Sequence, residues 1–101
     1  MLDDEIAKEF LLESLEHLNA LDEALLKIEQ GVDPDIDGMF RIFHSIKSAV
    51  AFLELSDLEE VAHQTEGILA SVRDKHRRLN IDDTGVLFQA GDYLRQGLRA
   101  F

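Results

Sequence analysis

Apolar residues in this chain recur at three- and four-residue steps, nowhere more regularly than across residues 39–55, MFRIFHSIKSAVAFLEL. Met39, Ile42, Phe43, Ile46, Val50 and Leu53 form one stripe, which is the pattern of an amphipathic helix. With Ile46 at the centre and about 100° per residue, the rest of that stripe falls within about 60°. His44 lands about 160° away, on the opposite side. Lys47 and Phe40 follow at about 100° and about 120°, Ala51 at about 140° and Ser48 at about 200°. An imidazole is thus expected in the open, with a cation one turn on and two small side chains beside it. A nucleophile that a bulky partner must reach needs that kind of exposure. Phe40, Ser48 and Ala51 are the residues predicted to meet such a partner.

Three further segments carry the same period. Asp3 to Gln30 reads as a long first helix, capped by Asp3 or Asp4, with acids favourable in its first turn. Its stripe is Ile6, Phe10, Leu18, Leu21, Leu25 and Ile28. Leu11, Leu15 and Leu26 widen it enough to predict two neighbouring helices. Gly31 stops it, and GVDPDIDG is the turn, with Pro34 near the start of the next helix. Ser56-Asp57-Leu58-Glu59 fits a capping box opening a third helix. Leu58, Val61, Ala62, Thr65, Ile68, Leu69 and Val72 mark its buried side. Arg73, Lys75, His76, Arg77 and Arg78 crowd its end, where cations suit the helix dipole. After a turn at Asn80–Thr84, a fourth helix turns Val86, Leu87, Ala90, Leu94, Leu98 and Phe101 inward. Gly91 and Gly97 allow close approach of a neighbour. One proline and six glycines leave little sign of a sheet. The expectation is an all-α, up-down antiparallel four-helix bundle.

At 101 residues the chain forms one domain, 1–101, with one core. The formal charge of −11 argues against nucleic acid and for a partner with a basic face. With no cysteine there is neither a disulfide nor a thiolate metal site. No apolar run is long enough for a bilayer, and MLDDEIAKEF lacks a signal peptide's basic and apolar regions. These features predict a cytoplasmic protein without membrane insertion.

HSIKSAVAFLEL resembles the H-S-x-K-G-x-x-G-x-x-G/x-L segment of histidine-phosphotransfer domains, especially the N-terminal domain of CheA-type chemotaxis kinases. His63-Gln64-Thr65-Glu66 resembles the H-x-x-E pattern of the same domain, and the resemblance covers nearly the whole chain. It implies that His44 is the phosphoacceptor and that Lys47 neutralises the incoming phosphoryl oxygens. It further implies that Glu66 holds Nδ1 of His44, leaving Nε2 with a free lone pair. The helical wheel puts Glu66 at the flank of its buried stripe, from which it can reach across to the next helix. His63 is expected to tune or screen. Ser48 replaces the family's glycine after the Lys, and Ala49, Val50 and Ala51 stand at other small positions.

The function implied is phosphorelay signalling. His44 takes a phosphoryl group from a histidine-kinase catalytic domain and passes it to an aspartate of a CheY-like response regulator. The chain has no phosphate-binding glycine loop, so ATP and Mg²⁺ are expected to belong to the partners, with no cofactor in this domain. The isolated domain is then a phosphocarrier and not an enzyme, a piece of a longer multidomain kinase. Two rivals are weaker. A di-metal carboxylate bundle needs two Glu-x-x-His elements and two further inward Glu, and Glu60-x-x-His63 is one element, so no metal is expected. A helical interaction module without phosphotransfer would not need His44, Lys47 and Glu66 together. His17 is expected to be an ordinary exposed helix residue and His76 part of the charge-matched helix end.

Overall fold

The computed structural model describes residues 4–101. Four helices follow one another: α1 Asp4–Glu29, α2 Ile36–Phe52, α3 Ser56–Asp74 and α4 Ile81–Ala100. Each packs against its chain neighbours, and α4 closes the ring onto α1. Among the described residues, α1 does not approach α3, nor α2 α4. This is the predicted up-down bundle. At about 1.5 Å per residue the 26-residue α1 spans about 39 Å, which accounts for the long dimension of 43 Å. The two neighbours expected of α1 are α2 and α4. No described helix is long and apolar enough to cross a membrane.

The stripes meet in one core. Leu18, Leu21 and Leu25 of α1 face Met39, Phe43, Ile46 and Val50 of α2, Leu58, Ala62 and Leu69 of α3, and Leu87, Leu94 and Leu98 of α4. Several residues predicted to face inward do not. Ile6, Leu26, Val86 and Phe101 are exposed, and Val61 and Ile68 are half-buried. The ring is four helices wide, so a stripe needs only two contact edges and its outermost members remain wet. His17, expected in the open, is half-buried. Ser14 is fully buried, with no partner for its Oγ among the described residues. The equally buried Thr65 donates to the carbonyl of Val61 at 2.7 Å.

Gly91 and Gly97 do the close packing expected of them. A Cβ on Gly91 would stand 3.1 Å from Leu21 Cδ2, and one on Gly97 would stand 2.5 Å from Leu58 Cδ2. These two positions set how closely α4 approaches α1 and α3.

The helix ends depart furthest from expectation. α1, α2 and α3 all stop in the same Schellman motif. Val32 N–H donates to Lys27 O, Leu55 N–H to Val50 O, and Arg77 N–H to Val72 O, each with the shorter bond inside it. The residue in the left-handed region is Gly31 (φ 88°) in the first, Glu54 (φ 62°) in the second and His76 (φ 50°) in the third. Because Glu54 and Leu55 complete the α2 stop, the chain enters α3 at once. Ser56 is therefore already helical and Leu55 occupies the N-cap without a side-chain bond, so the predicted Ser56–Glu59 capping box does not form. A capping box forms instead at Asn80 and Asp83, which starts α4 at Ile81, inside the predicted turn. Likewise α2 begins at Ile36 and not Met39, because Asp35 Oδ1 accepts from Gly38 N–H at 2.9 Å. Of the two caps proposed for α1, Asp3 lies outside the described residues, and Asp4, the first residue described, is helical.

The basic cluster closing α3 is more than a charge-matched helix end. α3 ends at Asp74, and Arg77 lays two guanidinium nitrogens on Asp83, at 2.6 and 3.3 Å. That grip, with the Asn80 backbone bond, holds the Asp83 carboxyl below its usual range and ties the connecting segment to the first turn of α4.

Candidate functional site

The site lies on the face shared by α2 and α3. His44 projects from the middle of α2 and is more than half exposed, since its Cα lies opposite the Phe43–Ile46–Val50 stripe. Glu66 comes from α3 at the edge of the Ala62–Thr65–Leu69 stripe, with its side chain only 12% exposed. Its two oxygens are spent on two donors of α2. Oε2 stands 2.8 Å from His44 Nδ1, and Oε1 accepts from Lys47 Nζ at 2.9 Å. Burial pushes the Glu66 carboxyl up, but the hydrogen bonds and charges of Lys47 and His44 more than offset this and hold it below its usual value. Glu66 is thus an ionised, acceptor-only group, so the proton between it and His44 sits on Nδ1. In the neutral ring, Nε2 is then the nitrogen with the lone pair.

Three of the four residues singled out from sequence therefore meet through one carboxylate. The fourth does not join them. His63 is exposed and lines a shallow cleft with Lys47, Ser56, Glu59 and Glu60. Among the described residues, no hydrogen bond or ion pair ties it to His44, Lys47 or Glu66.

The three small or aromatic neighbours separate. Ser48 and Ala51 are exposed on the His44 side of α2. The Ser48 hydroxyl donates to the His44 carbonyl at 3.2 Å, within its own helix. Phe40, placed on the outer face by the wheel, is half-buried and packs against the core. Its ring lies nearly parallel to the His44 imidazole, at 11° with centroids 6.2 Å apart. Arg73 covers it from α3, with Cζ 4.7 Å from the ring centre. A single-helix wheel cannot see a residue arriving from the neighbouring helix. The signal for Arg73 was present as part of the basic cluster, but nothing in the spacing aimed it at Phe40.

Among the described residues, no three His, Asp or Glu side chains gather as metal ligands. The arrangement offers an oriented imidazole with one open nitrogen, a half-buried carboxylate behind it and an ammonium at its side.

The Hpt domain family model matches residues 5–100. Chemotaxis protein CheA of Bacillus subtilis is 33% identical over 89 residues, covering 84% of this chain and 13% of that protein. Chemotaxis protein CheA of Rhizobium meliloti is 36% identical over 92 residues, covering 89% of the chain and 12% of the relative. The chain thus spans about an eighth of the length of these relatives. Among solved structures, the phosphorylated P1 domain of CheA3 in complex with CheY6 from R. sphaeroides superposes with a TM-score of 0.92. It is 29% identical and is matched over 97% of this chain and 78% of that one. The CheA phosphotransferase domain from Thermotoga maritima has the same fold, with a TM-score of 0.84 over 95% of this chain and 93% of that one, at 24% identity. With the model spanning all four helices and the relatives matching the same region, this chain belongs to the Hpt domain family.

Proposed function

We propose that this domain is the phosphocarrier of a chemotaxis-type phosphorelay, with His44 as its phosphoacceptor. The observation that carries the reading is the 2.8 Å contact of Glu66 with Nδ1, which leaves the exposed Nε2 free to react. Nε2 attacks the γ-phosphorus of ATP held by a histidine-kinase catalytic domain. An N–P bond forms as the bond from phosphorus to the ADP oxygen breaks. The ring keeps its Nδ1 proton against Glu66, whose charge offsets the positive charge that develops on the imidazole. Lys47 supplies a compact positive charge beside the phosphoryl oxygens. In the second step an aspartate of a CheY-like response regulator attacks phosphorus, the N–P bond breaks, and neutral His44 returns.

On this reading the domain binds no cofactor of its own. ATP and Mg²⁺ come with the kinase and regulator, and catalysis of the first step lies in the kinase domain. Ser48 and Ala51, both small and exposed beside His44, leave room for each partner to approach. His63 lies along the same flank, where it tunes the charge around Lys47.

The test is incubation with a CheA-type kinase catalytic domain and labelled ATP, followed by a CheY-like regulator. Acid-labile, base-stable phosphate on His44 is expected, and His44→Gln should take up none while keeping its melting temperature. Label on His17, His63 or His76, or undiminished label on the variant, overturns the assignment.

A further inference from the structure

The hydrogen bond to Glu66 fixes one nitrogen of His44 but not the tilt of the ring. A planar ring held at a single atom can still swing about that contact, carrying Nε2 with it. Two features limit that swing. The Phe40 ring lies one turn before His44 on the same face of α2, 11° from parallel at 6.2 Å, within the range of offset aromatic stacking. Phe40 is itself held, because the Arg73 guanidinium lies over it at 4.7 Å, a cation–π distance. Arg73 belongs to the last turn of α3, and Glu66 lies two turns earlier on the same helix. α2 and α3 are therefore tied twice along this face, once by Glu66 to His44 and Lys47 and once by Arg73 to Phe40. The second tie draws α3 toward α2 one to two turns along the helices from the 2.8 Å contact.

We infer that Phe40 and Arg73 are positioning residues for His44: the stacked ring and its guanidinium lid hold the imidazole at the tilt in which Nδ1 meets Glu66 and Nε2 faces the partner. Neither residue touches the transferred group. For a reaction in which Nε2 must lie in line with the phosphorus–oxygen bond being broken, a misplacement of about 1 Å is enough to cost up to two orders of magnitude in rate. The consequence for rate rests on the phosphocarrier reading, whereas the geometry of the ring does not.

Two measurements separate these. Nitrogen-15 spectra of the His44 ring report the tautomer without any phosphorylation. Initial rates against kinase-domain concentration divide the effect between kcat and KM. Phe40→Leu keeps an apolar side chain on the core, and Arg73→Gln changes an exposed residue, so both should fold; melting curves check this.

In Phe40→Leu the Nδ1–H tautomer should lose population and kcat should fall about three- to tenfold, with KM within twofold. Arg73→Gln should lower kcat about two- to threefold. Phe40→Tyr and Arg73→Lys, which keep the ring and the cation, should stay within twofold of the parent. Unchanged tautomers and kcat in Phe40→Leu and Arg73→Gln overturn the inference. So does a loss confined to KM, which makes Phe40 a docking residue and nothing more. If the parent protein takes no phosphate at His44, the phosphocarrier reading falls, and the tautomer comparison still decides whether Phe40 and Arg73 orient the ring.

Discussion

Two polar cross-links brace this bundle at its flanks, and they are built from similar parts arranged in opposite ways. Between α1 and α4 a cation is shared by two acceptors: Arg95 reaches Asp22 at 2.8 Å and Asn19 at 3.2 Å. Between α2 and α3 an anion is shared by two donors, His44 and Lys47. In both, the sharing residue is the more buried one, 16% exposed for Arg95 and 12% for Glu66, and its partners reach out toward water. The difference lies in what the partners have left. Asp22 and Asn19 have only lone pairs or amide hydrogens to offer solvent. His44 has an unspent ring nitrogen whose protonation is decided by the bond at the other nitrogen. One cross-link is a brace, and the other, on the proposed phosphocarrier reading, is a brace that also prepares a nucleophile.

The sharpest way to break this contrast is Glu66→Gln. A carboxylate has an oxygen for each donor, whereas an amide has one oxygen and one NH₂. If the amide oxygen turns to Lys47, the NH₂ faces Nδ1 of His44 and favours the ring with its proton on Nε2, where no lone pair is left to attack phosphorus. If the oxygen turns to His44, the NH₂ faces the Lys47 ammonium and pushes it away. Either choice harms the first transfer step, and an order of magnitude or more in phosphorylation rate is expected to go. Stability should change by less than about 1 kcal/mol, because the pair lies at a helix flank. Its size depends on pH. The Glu66 carboxyl is held below its usual value, so its contribution is complete above pH 4.5 and fades as pH falls through the lowered value. The difference in urea midpoint between parent and variant should therefore shrink in acid. Equal rates and equal His44 tautomers in the two proteins would make the α2–α3 link a brace like the other.

The bundle was legible in the sequence from its period, and the trio of His44, Lys47 and Glu66 from the resemblance of the HSIK and H-x-x-E segments to histidine-phosphotransfer domains. A 3.6-residue period reports which face of a helix is buried, and hence which residues stand at its centre or flank. It reports nothing about what a neighbouring helix delivers to that face. Phe40 therefore reads as exposed until Arg73 arrives over it, and Arg77 reads as one more cation of a charge-matched helix end until Asp83 meets it. Helix stops were legible only where composition advertises them. Gly31 was evident, but the same motif closes α2 on Glu54 and α3 on His76, where no glycine marks the stop. A side chain in the left-handed region costs on the order of 1 kcal/mol. Glu54→Gly removes that cost without touching either cross-link, and a gain of up to about 1 kcal/mol in urea unfolding is expected, offset in part by the unfolded chain's added freedom. A clear loss of stability would mean that the Glu54 side chain itself supports the turn into α3.

The smallest effect should come from the other brace, where Arg95→Gln isolates what a cross-link contributes when it prepares no chemistry. Glutamine keeps an amide within reach of α1 but removes the positive charge from between Asp22 and Asn19. Asp22 is more than half exposed, so water and salt already screen the pair, and such pairs contribute roughly 0.2–1 kcal/mol. The expected loss of stability lies in that range and should diminish as salt is added, since ions screen an exposed pair efficiently. Phosphorylation of His44 should be unchanged, because α1 and α4 meet on the side of the bundle away from the α2–α3 face. Two results would overturn the distinction between a plain brace and one that prepares a nucleophile. A loss of several kcal/mol would mean that the α1–α4 link carries the fold, and a fall in transfer rate at unchanged stability would mean that the two flanks are coupled through the core that Leu21, Phe43 and Leu94 share.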